Sequence, residues 1–285
     1  MKLLGLRLCE HDSNISYFDG TKLHYYKSER DYQIKHHGYD DLITWRDDIQ
    51  RIFGVKPNEI DDIAIVIDPW QHNFPTDNEE FFPAIDYPLF KADCPVQRIN
   101  HHYAHALSCF PVNNKIPDVE VVIDGFGEIN NAWTVFKDNK VFERGYEKEH
   151  GSPGVEMFLA GKWLNIEYKK GSEYDIAGKL MGLQAYGNHI EEFAKILPQS
   201  ILRTNDIFDK EKWFRFVGNE LVGTLKPLDW IRTVHNHMGD VLVKFFERIT
   251  DNDYNSIITY SGGVAQNVIW NTKLKNKFPN LIIPP

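Results

Sequence analysis

One pattern of predicted strands and acidic loops occurs twice in this chain, and it restricts the fold more than any other feature. In the first copy, a strand is followed by the turn His11-Asp12-Ser13 and by a hairpin with Asp19-Gly20 at its tip. In the second copy, a strand over 119–123 is followed by the acidic glycine turn 124–128 and a hairpin at Asp138-Asn139. Asp-Gly between two alternating runs is a strong hairpin signal. The recurrence predicts a duplicated α/β fold in which each acidic loop faces a cleft between two lobes.

Helices and buried strands fill the rest of each copy. Apolar residues over 40–53 recur at helical spacing, and the continuous apolar run 63–67 is typical of a strand covered on both faces. Residues 69–95 have no clear period and predict an excursion over the surface. We place the first lobe at residues 1–115 and the second at residues 116–285. Further strands are predicted at 96–99 and 257–260, and further helices at 101–110, 155–164, 174–185, 189–197, 228–249 and 264–278.

Composition excludes several classes of protein. The 285 residues carry 32 Lys+Arg against 41 Asp+Glu, and the resulting charge of −9 argues against bulk binding of nucleic acid. No apolar run approaches the ~20 residues of a membrane span, and the apolar start is too short for a signal peptide. The cysteines, at positions 9, 94 and 109, are odd in number and widely spaced, which suits a reducing compartment. We therefore expect a cytoplasmic protein without a membrane partner.

A pair of histidines is the first candidate metal site. His101 and His105 lie four residues apart on a predicted helix, so both imidazoles share one face and can converge on one metal ion. The general-base glutamate of the HExxH zinc helices is missing between them. Asp124, at the end of a buried strand, is a plausible third ligand. The alternative is a capped helix whose histidines only form hydrogen bonds.

Two turns that contain glycine are candidate anion sites. The turn 124–128 combines Asp124 and Glu128 with two glycines, so its N–H groups can approach a phosphate while a carboxylate holds a cation. The turn Ser261-Gly262-Gly263 lies between a buried strand and a helix, and Asn267 follows on that helix where it could bind ribose or base. An ordinary acidic turn and close packing of a strand on a helix are the respective alternatives. The matching position of His11-Asp12-Ser13 in the first copy favours function for the acidic turn.

Other positions give weaker signals. Residues 178–187 contain three glycines in a helical context, where each costs about 1 kcal/mol relative to alanine, so either a packed helix or a nucleotide must approach this backbone. Lys179 is the side chain to test there. The pairs His36-His37 and His235 with His237 lack partners at ligand spacing, which predicts surface or interface roles. The cysteines are predicted to be small buried residues.

Taken in order, these motifs resemble those of the O-carbamoyltransferases of nodulation-factor and antibiotic tailoring. Leu4-Gly5-Leu6 through His11-Asp12-Ser13, and Glu29-Arg30 before Lys35-His36, also fit the opening of that family. The resemblance spans nearly the whole chain. The matching segments are His101-His102-x-x-His105-Ala106, Asp124-Gly125-x-Gly127-Glu128, Lys179-x-Met181-Gly182-Leu183-x-Ala185-Tyr186-Gly187 and Ser261-Gly262-Gly263-Val264-Ala265-x-Asn267.

The resemblance implies an actin-like ATPase fold with two duplicated RNase H-like lobes on mixed sheets. It also implies transfer of a carbamoyl group from carbamoyl-adenylate, made from carbamoyl phosphate and ATP, to a hydroxyl of a small molecule or a nucleobase. By motif, His101, His105 and Asp124 fall on ligands of a divalent metal, Fe²⁺ first, with Mg²⁺ or Mn²⁺ as alternatives. His11 and Asp12 fall on the transfer site. The nucleotide-binding positions would be Gly125, Gly127, Glu128, Lys179, Ser261, Gly262, Gly263 and Asn267.

Two parts of the family's pattern are not found in this sequence. The family's remaining metal ligand is an aspartate just after the strand at which this sequence ends, and the family's second domain makes carbamoyl-adenylate. We expect a further domain or a partner subunit to supply both, and we expect this chain alone to bind nucleotide and metal weakly without turnover. Threonylcarbamoyl transfer to tRNA and a non-catalytic nucleotide-binding subunit remain as alternatives.

Overall fold

The architecture comes from a computed structural model. The structure describes residues 1–8, 11–66, 92–110, 116–125, 127, 131–146, 151–157, 166, 175–195, 197 and 225–284, together with the backbone of 81–82. The chain divides into two compact units, Met1–Ala104 and His105–Pro285. Each unit contains one mixed sheet. The lobe limits at 115 and 116 stay a prediction.

The first unit is built on a six-stranded sheet with the order β3-β2-β1-β4-β6-β5. Strand β1 pairs antiparallel with β2, as β2 does with β3, and on its other side β1 pairs parallel with β4. The elements are β1 (Leu3–Arg7), β2 (Asn14–Phe18), β3 (Leu23–Lys27), α1 (Ser28–Tyr32), α2 (Trp45–Phe53), a 3₁₀ turn (Pro57–Glu59), β4 (Asp62–Val66), β5 (Phe81–Phe82) and β6 (Val96–Ile99).

Helix α3 (His101–Leu107) begins at the end of the first unit and continues into the second. The five-stranded sheet of the second unit has the order β11-β10-β7-β8-β9. Its elements are β7 (Val119–Ile123), β8 (Asn131–Lys137), β9 (Lys140–Tyr146), α4 (Asp175–Leu183), a 3₁₀ turn (Gln184–Tyr186), α5 (Glu191–Ala194), α6 (Pro227–Ile249), β10 (Ile258–Ser261), a 3₁₀ turn (Gly263–Gln266), α7 (Val268–Lys277) and β11 (Leu281–Ile282).

The two sheets share one topology, which confirms the predicted duplication. In each sheet, the first strand has an antiparallel hairpin on one side and parallel strands on the other. Strands β1, β2, β3 and β4 therefore correspond to β7, β8, β9 and β10. The turn after β1 and the turn after β7 occupy equivalent places, and these are the two acidic loops of the sequence pattern.

Burial follows the sequence pattern in both units. In the first unit, one face of β1 and β2 is fully buried, and α2 packs its residues Trp45 and Ile49 into the same core. In the second unit all five residues of β7 are buried, and the apolar side of α6 joins that core. A buried apolar side chain contributes about 1.5–3 kcal/mol, so each core can hold the ends of its strands in place.

Several elements depart from the predicted bounds. Helix α2 begins at Trp45, because the Asp41 carboxylate accepts hydrogen bonds from the backbone N–H groups of Ile43 and Thr44 and forms a turn there. The helix predicted over 264–278 is divided, because Asn267 caps α7 after a 3₁₀ turn. Most of the 69–95 segment lies outside the described residues, but Phe81–Phe82 pair antiparallel with β6. Of the helix predicted at 155–164, the structure describes only the first turn.

The α-helices that the structure describes include none with both the length and the apolar character needed to cross a bilayer.

Candidate functional site

In the second unit, two loops meet at one edge of the sheet. Strands β7 and β10 pair in parallel, with Ser261 opposite Val122, so their carboxyl ends lie side by side. A Cβ on Gly262 would lie 2.4 Å from the carbonyl oxygen of Ile123, and the residue has a φ of +94°. A Cβ on Gly263 would lie 2.8 Å from Oδ1 of Asp124. Close packing against the end of β7 therefore requires Gly262, whereas a side chain at 263 would have to displace the Asp124 carboxylate.

Asp124 is the carboxylate at this edge. Its Oδ1 accepts a hydrogen bond from the backbone N–H of Gly125 at 2.7 Å, and its Oδ2 lies 3.2 Å from Nε2 of His105. Ser152 fixes the turn, since its hydroxyl donates to the carbonyl oxygens of Asp124 at 2.9 Å and Gly125 at 3.1 Å. His101 lies one helical turn before His105 on α3. The structure therefore brings Asp124, the third predicted ligand, next to His105.

The rest of the acidic turn is only partly described. Gly127 donates its backbone N–H to the carbonyl oxygen of Asn131 at 2.7 Å, which closes the turn onto β8. Glu128 lies outside the described residues. A Cβ on Gly125 would have none of the described atoms within 4 Å.

The glycines around α4 divide into two kinds. A Cβ on Gly178 or Gly182 would meet no atom within 4 Å in the part of the chain that the structure describes. A Cβ on Gly187 would lie 1.9 Å from the carbonyl oxygen of Leu228 at the start of α6. Tight packing therefore explains Gly187 but not the other two. Lys179 is exposed on the same helix.

Asn267 has both side-chain groups engaged within the unit. Its Oδ1 accepts a hydrogen bond from the backbone N–H of Trp270 at 3.2 Å, and this caps α7. Its amide nitrogen lies 2.9 Å from Nε2 of His235. Burial lowers the pKa of His235 to about 4, so the neutral imidazole accepts this hydrogen bond. The surface or interface role predicted for His235 is wrong, because the residue is fully buried and stacks on Trp270.

In the first unit, a cluster of charged side chains forms around Asp12. Its Oδ2 lies 2.8 Å from Nδ1 of His11 and 3.0 Å from Nδ1 of His36, and its Oδ1 lies 3.2 Å from the ammonium of Lys27. The hydrogen bond from His11, followed by those from His36 and Lys27, holds the pKa of Asp12 far below its usual value. Asp12 is therefore a carboxylate with a donor on each oxygen.

This cluster also has the spacing of a metal site, because ligand atoms of Asp12, Glu29 and His36 lie within 4.8 Å of one another. The ammonium of Lys27 lies 3.2 Å from Asp12 Oδ1 and 3.6 Å from Glu29 Oε2. Both carboxylates already have a cation as partner, so we interpret the cluster as an ion-pair network.

Sequence reasoning missed His36 and Lys27 as parts of a site. They lie 24 and 15 positions from Asp12, and only the pairing of β2 with β3 and the return of the chain after α1 bring them together. The fit of Glu29 and His36 to the family's opening was the one signal that could have suggested such a cluster.

Comparison with known proteins identifies the family. The sequence model described as carbamoyltransferase N-terminus matches residues 89–285, well over half of the chain. The chain belongs to this family. The matched residues include α3, the acidic turn after β7 and the glycine turn after β10, whereas the His11 loop precedes the match. The predicted family resemblance is thereby confirmed.

Two solved structures support the fold. HypF from T. kodakarensis superimposes with a TM-score of 0.62 at 14% identity, over 98% of this chain and 44% of that one. The activator of the 2-hydroxyisocaproyl-CoA dehydratase from Clostridium difficile, with bound ADPNP, superimposes with a TM-score of 0.59 at 13% identity, over 100% of this chain and 88% of that one. Both have the actin-like ATPase fold, so the predicted fold class is confirmed. The carbamoyltransferase-family chain spans less than half of the HypF chain.

Proposed function

We propose that this carbamoyltransferase-family chain transfers a carbamoyl group from carbamoyl-adenylate to an acceptor hydroxyl. The family match carries this proposal, because it includes the turn with the Asp124–His105 contact. Carbamoyl phosphate and ATP would be the source of the adenylate, and a further domain or partner subunit would make it. A reducing, cytoplasmic setting agrees with Cys94 and Cys109, which are both free thiols.

The transfer reaction requires a general base, and we assign this role to His11. The acceptor oxygen bonds to the carbamoyl carbon, the bond from that carbon to the adenylate phosphate oxygen breaks, and AMP leaves. The acceptor hydroxyl must lose its proton in this step. Asp12 accepts the Nδ1 proton of His11, so the lone pair of the neutral imidazole is on Nε2, and this nitrogen takes the proton. Asp12 also stabilises the imidazolium that then forms.

The donor set at the second turn fits a divalent metal. His105 and Asp124 present an imidazole nitrogen and a carboxylate oxygen 3.2 Å apart, and such mixed sets suit Fe²⁺ or Mn²⁺. His101, one turn earlier on α3, is the further ligand that the family resemblance implies. A divalent cation bound there would supply Lewis-acid polarisation of a phosphate or carbonyl oxygen. The backbone N–H of Gly125 orients the Asp124 carboxylate toward His105.

The nucleotide would be bound by main chain rather than by Asn267. A Cβ at Gly178, Gly182 or Gly125 would have none of the described atoms within 4 Å, which leaves room there for a ligand among the residues that the structure describes. Asn267 instead acts as a helix cap that His235 orients. We therefore expect adenylate affinity to depend on these glycines and on Lys179 more than on Asn267.

The test is a transfer assay on the full chain with a partner domain, ATP, carbamoyl phosphate and Fe²⁺ or Mn²⁺. Amino sugars, polyketide alcohols, hydroxymethyl nucleobases and tRNA serve as acceptors, and mass spectrometry detects the added carbamoyl group. We expect a carbamate on a small acceptor, its loss in His105→Ala, and its retention in the control His189→Ala, whose imidazole pairs with Glu191 on the surface. Failure to modify any acceptor would refute the proposal, and salt-sensitive modification of tRNA alone would favour threonylcarbamoyl transfer.

A further inference from the structure

The cluster around Asp12 contains more donors than a base and its orienting carboxylate require. His11 and His36 both direct Nδ1 at the same oxygen of Asp12, at 2.8 and 3.0 Å, while Lys27 pairs with the other oxygen at 3.2 Å. Glu29 ties the outer donors together, because its Oε2 accepts the backbone N–H of His36 at 2.8 Å and lies 3.6 Å from the Lys27 ammonium. The carboxylate of Asp12 is thus held on both oxygens.

Hydrogen bonds of Ser13 hold the loop that contains Asp12 against the loop that contains His36, independently of the charged side chains of the cluster. Ser13 donates its N–H to the carbonyl oxygen of His37 at 2.9 Å, and its own carbonyl oxygen accepts the hydroxyl of Ser28 at 2.8 Å. The hydroxyl of Ser13 accepts the N–H of Tyr39 at 3.2 Å. The approach of the two loops is therefore a property of the fold rather than of one side-chain rotamer.

The two residues that meet both have a left-handed backbone conformation. Asp12 has a φ of +55° and His36 a φ of +54°, in the left-handed region that residues other than glycine seldom adopt. Such conformations persist where the surrounding structure imposes them, and they often mark functional sites. The surrounding hydrogen bonds impose them here, and they place Nδ1 of His36 beside Oδ2 of Asp12.

We propose that His36 and Lys27 are positioning residues for His11. They hold the Asp12 carboxylate in the one orientation in which Oδ2 accepts the Nδ1 proton of His11, and this fixes the His11 tautomer with its lone pair on Nε2. The inference rests on the proposed function, in which His11 accepts the proton of the acceptor hydroxyl. Asp12 alone could turn about its side-chain bonds, whereas a carboxylate with donors on both oxygens cannot do so without breaking a hydrogen bond or the ion pair.

The tautomer is measured directly by ¹⁵N NMR of the histidine side chains in the full chain, with His11 assigned from the signals lost in His11→Gln. We expect the Nδ1–H tautomer in the wild type and a shift toward Nε2–H in His36→Leu and in Lys27→Met. His36→Gln, which keeps a side-chain donor, should retain the wild-type signals. The control is His24→Gln, because His24 pairs with Asp19 in the hairpin of the same unit. Unchanged His11 signals in folded His36→Leu and Lys27→Met would overturn the proposal.

Activity gives a second readout. In the transfer assay, His36→Leu should lower kcat by about tenfold or more with little change in the KM for the acceptor, because a misplaced base affects the chemical step. His36→Gln should recover most of that loss. An altered tautomer with unchanged kcat would overturn the positioning role. Because the NMR experiment needs no substrate, a tautomer shift in a protein that modifies no acceptor would count against the proposed function and not against the Asp12 network.

Discussion

The two acidic turns occupy equivalent places in a duplicated topology, yet their carboxylates have different surroundings. Asp12, after β1, has donors from three side chains of its own unit. The contacts of Asp124, after β7, include the backbone N–H of Gly125 and the imidazole of His105. A carboxylate with a donor on each oxygen is suited to orient another group, whereas a carboxylate next to an imidazole nitrogen can share a metal with it. The comparison teaches that equivalent topological positions can carry different neighbouring side chains, and in the proposed function these neighbours give the two turns two chemical tasks.

The carboxyl of Glu156 provides a further comparison with that of Asp12. Glu156 lies in the second unit, four residues after the Ser152 that fixes the Asp124 turn, and its Oε1 has no hydrogen-bond partner among the described residues. Burial raises the pKa of Glu156 to about 8. Hydrogen bonds lower the pKa of Asp12, and burial raises that of Glu156, so the two carboxyls have opposite effects on stability as the pH changes.

The largest effect is expected for Asp124→Asn. An amide cannot supply the negative charge of a metal ligand, so we expect metal affinity to fall more than about 100-fold and transfer to fall to background. Isothermal titration calorimetry with Mn²⁺ and the transfer assay measure the two losses. Asp138→Asn in the β8–β9 turn is the matched control, since asparagine tolerates its φ of +51°. Equal metal affinity in the wild type and in Asp124→Asn would show that Asp124 is not a metal ligand.

Glu156→Gln should stabilise the protein in a pH-dependent way. The folded-state pKa of Glu156 is raised, so its contribution to stability is fully present below its unfolded value near 4.3 and is lost as the pH rises through about 8. The variant should therefore exceed the wild type by about 4 kcal/mol in free energy of unfolding at pH 8, and by little at pH 4.5. Urea denaturation at both pH values tests this. An equal difference at the two pH values would contradict a Glu156 carboxyl whose pKa is raised by burial.

Asp12→Asn should lower the transfer rate less than Asp124→Asn does, and it should leave metal affinity unchanged. The amide can present a donor to Nδ1 of His11 and so favour the wrong tautomer, and we expect kcat to fall about 100-fold with unchanged metal affinity. Steady-state kinetics and Mn²⁺ calorimetry on the same preparations provide the measurement. A loss of metal affinity in Asp12→Asn would contradict the division of tasks between the turns.

The smallest effect concerns Asn267. Asn267→Ala removes the cap of α7 and should lower the free energy of unfolding by about 1 kcal/mol, with little change in adenylate affinity. Asn267→Asp keeps the capping oxygen but loses the amide donor to Nε2 of His235, so comparing it with Asn267→Ala separates the cap from that hydrogen bond. Thermal unfolding and equilibrium binding of AMP report the two quantities. A large loss of AMP affinity in Asn267→Ala without a loss of stability would show that Asn267 binds the nucleotide.

The architecture could be predicted from the sequence, because its strands, hairpins and helices follow from local patterns of apolar and turn residues. The hairpins, the fully buried β7 and the amphipathic α6 all depend on periodicity that neighbouring residues display. The contact of Asp124 with His105 was also predictable, since a strand end and a helical i,i+4 pair each restrict where a side chain lies. Relations that depend on tertiary structure were not predictable: the approach of His36 to Asp12, and the burial of His235 beneath Trp270.

The dependence on tertiary structure also explains why the sequence alone could not tell which glycines belong to the candidate nucleotide site. Glycines at 178, 182, 187 and 262 look alike in sequence, because each lacks a side chain for its own reason. The structure separates them by what a Cβ would meet, namely main chain at Gly187 and Gly262 and none of the described atoms within 4 Å at Gly178 and Gly182. A residue's surroundings, rather than its type, decide between packing and binding.

The division of tasks between the two turns is tested most directly by single-turnover transfer from preformed carbamoyl-adenylate during a titration with Mn²⁺. The measurement compares wild type, Asp124→Asn and Asp12→Asn. Excess metal should restore part of the transfer rate in Asp124→Asn, because the defect is one of metal affinity, and it should restore none in Asp12→Asn. Recovery of both variants by metal, or of neither, would contradict the assignment of the metal to Asp124 and of the base to the Asp12 cluster.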